Sequence, residues 1–131
     1  MNKNGGNAGQ PMAEKILVVD DEENMLRLFK RALGREGYQV ACAGSSQAAL
    51  EMAAGNTFSL AIVDIELPGL DGIGLLQQLK ALNRSLPVIV VTAQLAPEKE
   101  QQARQSGCAA YFSKPVDIKK LKKMIRSLFA A

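Results

Sequence analysis

Short apolar runs alternate with longer amphipathic segments along this chain, and the alternation predicts where strands and helices fall. Lys15-Ile16-Leu17-Val18-Val19-Asp20 is continuous, β-branched and closed by an acid, the pattern of a strand buried on both faces. From Glu22 to Glu36 the apolar residues Met25, Leu28, Phe29, Ala32 and Leu33 recur at helical spacing, with a stop near Gly37. Tyr38 to Ala43 predicts a second, weaker strand. Ser45 can cap a small-residue helix running to about Ala54, and Gly55 and Asn56 end it. Phe58 to Asp64 predicts a third strand, again ending in an acid. After a loop with Pro68 and Gly69, Asp71 caps a helix carrying Ile73, Leu76, Leu79 and Leu82. Pro87 to Thr92 is the fourth strand, and Pro97 sits where a helix's first turn would be, in a helix reaching about Ser106. Ala109 to Phe112 is a short fifth strand. Asp117 caps the last helix, with Ile118, Leu121, Ile125 and Leu128 as its apolar face.

Five strand–helix pairs in strict alternation predict an α/β domain with a parallel sheet, right-handed crossovers and helices on both faces. The natural arrangement of such a (βα)5 chain is a doubly wound sheet in the order 2-1-3-4-5. At 131 residues there is material for one core and not two. We take residues 14–131 as the domain and the polar, Gly/Asn-rich residues 1–13 as a flexible leader. That leader lacks the apolar middle of a secretory signal, and no apolar run is long enough to span a bilayer. Cytoplasm is the default location, with no membrane partner.

Composition narrows the chemistry. Hydrophobic residues make up 47% and charged residues 22%, ordinary for an ordered globular chain. With no histidine, Ser-His-Asp and Cys-His nucleophiles, zinc–histidine sites and histidine bases are all excluded. Cys42 and Cys108 have no CxxC partner and fall at opposite edges of the expected sheet, so neither a metal site nor an internal disulfide is expected. The net charge of +3 is uneven: from Lys99 onward eight Lys/Arg face two Asp/Glu, a balance of +6 that leaves −3 for the rest. Lys119, Lys120, Lys122 and Lys123 read first as the solvated face of a terminal helix. Without interleaved aromatics or a base-reading motif, direct nucleic-acid binding is the minority reading.

Ligands of a doubly wound sheet bind beyond the carboxyl ends of its strands, where the winding reverses. The first and third strands flank that reversal and end in Asp20-Asp21 and Asp64. The fourth strand contributes Thr92, and the loop after the fifth contributes Lys114. Clustered carboxylates repel unless a cation joins them. An all-oxygen set with few carboxylates suits Mg²⁺ better than a Ca²⁺ cage. Add a lysine ammonium and a hydroxyl, and the set is equipped for phosphoryl transfer, in which an aspartate can act as nucleophile. Gly72-Ile73-Gly74 is no dinucleotide loop, because the third glycine is absent.

Val18-Val19-Asp20-Asp21-Glu22, Val63-Asp64-Ile65-Glu66-Leu67-Pro68-Gly69-Leu70-Asp71-Gly72, Val91-Thr92-Ala93 and Lys114-Pro115 together resemble the motifs of bacterial two-component response-regulator receiver domains. Each motif alone is weak; all four, in order and each at a strand end, are specific. The resemblance runs from about residue 14 to 129 and implies a flavodoxin-like fold. It implies Asp64 as phosphoacceptor and Mg²⁺ as cofactor, with Asp21 a direct ligand, Asp20 acting largely through water, and the Glu66 carbonyl completing the set. Thr92 and Tyr111 are the implied switch residues and Lys114 the phosphate partner, with a cis Lys114-Pro115 bond. Glu66 and Gln94 are placed to govern water's approach to an acyl phosphate. Leu67, where methionine is common, is a volume-conserving departure. The implied partners are a histidine kinase or histidine phosphotransfer protein as donor. A protein or second copy would bind a phosphorylation-dependent surface of the fourth helix, fifth strand and fifth helix.

Two other readings stand beside this one. A receiver-like interaction module would keep the fold without phosphorylation. An aspartate-nucleophile phosphohydrolase is disfavoured, because Asp64-Ile65-Glu66 is not Asp-x-Asp and no inserted cap domain supplies a substrate pocket.

Overall fold

The structure is a computed structural model and describes residues 13–67, 71–93 and 96–130. The leader, residues 1–13, lies outside this range save for its last residue, as do Pro68, Gly69 and Gln94. Five strands, β1 (Lys15–Val19), β2 (Gln39–Ala43), β3 (Leu60–Asp64), β4 (Val88–Thr92) and β5 (Ala110–Ser113), alternate with five helices among the described residues. The helices are α1 (Glu23–Gly34), α2 (Ser46–Gly55), α3 (Gly72–Leu82), α4 (Pro97–Gln105) and α5 (Ile118–Ala130). The strands form one parallel sheet in the order β2-β1-β3-β4-β5. Both the expected topology and its winding reversal between β1 and β3 are therefore present.

Alternation along each central strand divides the core between the two faces of the sheet. Ile16, Val18, Leu60, Ile62, Ile89 and Val91 meet Phe29 and Leu33 of α1 and Leu121 and Ile125 of α5. Leu17, Val19, Ala61, Val63, Val88 and Val90 meet Ala49 of α2, Leu75, Leu76 and Leu79 of α3, and Ala103 of α4. Burial on both sides is why β1, β3 and β4 read as unbroken apolar runs. The caps fall where the sequence puts them. Ser45 Oγ accepts from Ala48 N at 3.1 Å, Asp71 Oδ1 from Gly74 N at 2.8 Å and Asp117 Oδ1 from Lys120 N at 3.2 Å.

Two expected core positions are exposed instead, Leu28 at 45% and Leu82 at 56%. Leu82 ends a series of three-residue steps, each rotating about 60° short of a full turn, and so leaves the buried face, while Leu28 stands about 100° around α1 from buried Phe29. Leu75, which that series skips, takes the core place in α3. The basic C-terminal helix is partly structural. Lys122 and Arg126 reach Glu36 at 3.5 and 3.3 Å, and Phe129 packs edge-on against Tyr38. Cys42 and Cys108 are free thiols on opposite edges of the sheet.

Candidate phosphoacceptor site

The chemistry-bearing side chains converge at the carboxyl edge of the sheet. Val19 pairs with Val63, so Asp20, just beyond β1, lies beside Asp64 at the end of β3. Thr92 ends β4 in register with Ser113 of β5, and Lys114 follows directly. A backbone bond from Lys114 N to Thr92 O at 2.8 Å anchors that loop to β4. The Lys114-Pro115 peptide is cis.

Lys114 is the electrostatic centre. Its Nζ donates to Asp20 Oδ2 and to Asp64 Oδ2, each at 2.9 Å, and lies 3.5 Å from Glu22 Oε1. The second oxygen of each buried aspartate takes a backbone amide two residues on. Glu22 N donates to Asp20 Oδ1 at 2.9 Å and Glu66 N to Asp64 Oδ1 at 2.8 Å. Asp20 therefore holds the backbone just before α1, whose N-cap Glu22 makes no side-chain cap, while its other oxygen is committed to the lysine. Desolvation is the largest influence on Asp64 and raises its pKa; the Lys114 hydrogen bond and the Glu66 amide oppose it without cancelling it. Burial by itself would lower the Lys114 pKa. The hydrogen bonds and charges of Asp20 and Asp64 outweigh it, so the ammonium is held well above the ordinary lysine range.

Asp21 is exposed, outside the ion pairs of Lys114, while Asp20 and Asp64 are buried. One carboxylate oxygen from each of Asp20, Asp21 and Asp64 lies within 4.8 Å of the others. Three hard oxygens in that space, one facing solvent, fit Mg²⁺ with water completing its shell. Thr92 is fully buried, and its Oγ1 donates to Glu66 Oε1 at 3.0 Å. Tyr111 is half-buried on β5 against the α2/α3/α4 core. Desolvation, then the nearby Glu100 charge, raises its pKa.

Every expected site residue in the described range lies on this edge except Tyr111, which stands within β5 and meets Val90 in register. Two contributors were missed. Glu22 reaches Lys114, and the acidic run Asp20-Asp21-Glu22 carried that signal. Gly72 is the other. A Cβ there would lie 2.1 Å from Ile65 Cα and 2.7 Å from the Asp64 carbonyl oxygen, so only glycine lets α3 start this close to the acceptor loop.

The family described as response regulator receiver domain matches residues 16–126. The chain belongs to this family. The receiver domain is similar to sporulation initiation phosphotransferase F of Bacillus subtilis, 31% identical over 115 residues, covering 88% of this chain and 93% of that protein. It is 35% identical over 115 residues to the transcriptional regulatory protein ZraR of Escherichia coli, covering 88% of this chain but only 26% of that protein. Among solved structures it resembles a CheY-like response regulator receiver domain from Methanospirillum hungatei, with a TM-score of 0.86 and 32% identity over 91% of this chain and 96% of that one. The receiver domain is a phosphoacceptor module of two-component signalling, not an enzyme in the ordinary sense. Such domains bind Mg²⁺ at an acidic pocket and meet histidine kinases or phosphotransfer proteins. No helix among the described residues is long and apolar enough to cross a membrane.

Proposed function

We propose that Asp64 accepts a phosphoryl group from a phosphohistidine on a histidine kinase or phosphotransfer protein, in a Mg²⁺-dependent reaction in the cytoplasm. The observation that carries this reading is the buried Asp64 carboxylate with the Lys114 ammonium at 2.9 Å and two further acids within 4.8 Å. One Asp64 oxygen attacks phosphorus, a P–O bond forms as the donor's P–N bond breaks, and the released imidazole nitrogen takes a proton. Lys114 is already in place to pair with the added charge, and Thr92 can donate its hydroxyl to a phosphoryl oxygen. Positioning and charge neutralisation are what such transfer requires.

Asp20, Asp21 and Asp64, with the Glu66 carbonyl, would hold the Mg²⁺, which when bound neutralises charge shared between carboxylates and phosphoryl oxygens. Exposed Asp21 suits direct ligation, while Asp20, committed to Lys114, suits contact through water. Turning Thr92 toward the phosphoryl group vacates space into which Tyr111 moves, and the α4-β5-α5 surface changes with it. A protein partner or a second copy binds there only after phosphorylation, over a surface that includes exposed Lys119, Lys120 and Lys123.

Intact mass measured after incubation with a phosphoramidate or acyl-phosphate donor tests this. One added phosphoryl group requiring both Mg²⁺ and Asp64 supports it. No adduct on the folded protein, from small donors or from a phosphohistidine protein, would replace it with an unphosphorylated interaction module. Multiple turnover on phosphate esters would replace it with a phosphohydrolase.

A further inference from the structure

The Thr92 hydroxyl is not idle in the resting domain. It is fully buried at the end of β4, and its one proton is donated to Glu66 Oε1 at 3.0 Å. Glu66 is in turn held to the phosphoacceptor, its amide donating to Asp64 Oδ1 at 2.8 Å. The side chain thus spans from the loop after β3 to β4, across the strand ends where the phosphoryl group would arrive. A hydroxyl has one proton to donate. Thr92 can give it to Glu66 or to a phosphoryl oxygen on Asp64, never to both at once.

We propose that the Glu66 carboxylate is a positioning residue that latches Thr92 in its resting direction and so sets how readily the domain switches. This rests on the phosphoacceptor reading of Asp64 above and extends it to a side chain whose resemblance-implied duties were a backbone carbonyl and control of water. Two effects act together in wild type. The hydrogen bond to a carboxylate is stronger than one to a neutral acceptor, so the resting Thr92 is favoured. The negative charge also opposes the arrival of a phosphoryl anion. Switching therefore exchanges one charge-assisted bond for another, which brings the two states closer in free energy than an unlatched threonine would.

The two effects separate by substitution. Glu66→Gln keeps an acceptor oxygen for Thr92 and removes the charge; Glu66→Ala removes both. Glu66 is exposed, so both variants are expected to fold, and thermal unfolding confirms it before use. The probe is fluoroberyllate, an acyl-phosphate mimic, titrated with Mg²⁺ into the full chain, with NMR of the Thr92 methyl and Tyr111 ring read before and after. In the resting protein the latch predicts a shifted Thr92 methyl in Glu66→Ala and one close to wild type in Glu66→Gln. A released charge-assisted hydrogen bond should tighten fluoroberyllate binding by about ten-fold in Glu66→Ala, with Glu66→Gln between it and wild type. On a Thr92→Val background, where no hydroxyl remains to be latched, the gain from Glu66→Ala should shrink to the charge effect that Glu66→Gln shows. An equal gain on both backgrounds, or an unmoved Thr92 methyl in Glu66→Ala, overturns the latch while leaving the phosphoacceptor reading intact. Failure of every variant, wild type included, to bind fluoroberyllate overturns that reading and the latch with it.

Discussion

Replacing Lys114 with methionine keeps most of its length and removes its charge, which strips two buried carboxylates of the ammonium 2.9 Å from each. The side chains concerned are 11% exposed for Lys114, 2% for Asp20 and 5% for Asp64, so bulk water does not simply replace the ammonium. Removing one partner of a buried ion pair costs about 3–5 kcal/mol. The third partner, Glu22, is 65% exposed, so one side of the site is open to water. We therefore take the lower end, about 3 kcal/mol, or roughly 10 °C in Tm for a domain of this size. Thermal or urea unfolding in EDTA measures it.

Two further signatures distinguish charge from packing. Mg²⁺ supplies the missing positive charge, so its addition should recover more stability in the variant than in wild type. The pH dependence has a definite sign. Asp64 already has a raised folded pKa, and loss of Lys114 removes the largest of the contacts that restrain it, leaving the Glu66 amide. A raised folded pKa costs nothing below the unfolded value and costs most once pH has risen through the folded one. The deficit of Lys114→Met should therefore be greatest near neutrality and shrink as pH falls toward the ordinary carboxylate range. A variant as stable as wild type in EDTA, or a loss untouched by Mg²⁺ and pH, would refute the electrostatic account.

Gly72→Ala forces a Cβ against the Ile65 and Asp64 backbone, so stability should fall by about 1–3 kcal/mol and the rate of Asp64 phosphorylation with it; urea midpoints and donor kinetics report both. Asp21→Asn alters an exposed side chain, so unfolding in EDTA should match wild type within about 0.5 kcal/mol. Its Mg²⁺ affinity, by calorimetry, should fall at least about ten-fold, the loss expected for a direct ligand. Tyr111→Ala should still be phosphorylated on Asp64 yet no longer change its α4-β5-α5 surface, as read by amide NMR shifts; equal loss of phosphorylation and switching would remove Tyr111 from the switch. Leu79→Ala, fully buried between α3 and the sheet, should cost about 2–5 kcal/mol by urea unfolding and leave Mg²⁺ affinity unchanged.

The fold and the site's framework were legible because the same feature encodes both. β1 and β3 are apolar up to a terminal acid, and a parallel sheet delivers those acids to one edge whatever their separation in sequence. What stayed hidden depends on side-chain direction. Periodicity placed Leu28 and Leu82 in the core, because apolar spacing alone does not say where the edge of a helix's buried face falls. Gly72 closes one of the motifs, but its reason stayed hidden, since the approach of Ile65 across a loop is a tertiary contact. Glu66 could be numbered from Asp64, but that its carboxylate would reach Thr92 on the next strand requires the register of β3 against β4. The lysine cluster of α5 divides likewise. Lys122 has an acidic partner in Glu36 from beyond α1, whereas Lys119, Lys120 and Lys123 remain exposed.

The most direct test of the central claim is to trap the phosphorylated side chain. After phosphorylation in Mg²⁺, borohydride reduces an aspartyl phosphate to homoserine, and peptide mass mapping locates the converted residue. We expect homoserine at position 64 alone, absent when Mg²⁺ is withheld. Conversion at Asp20, Asp21 or Asp71 with position 64 untouched, or a phosphoryl group that survives reduction on a hydroxyl, would contradict the assignment.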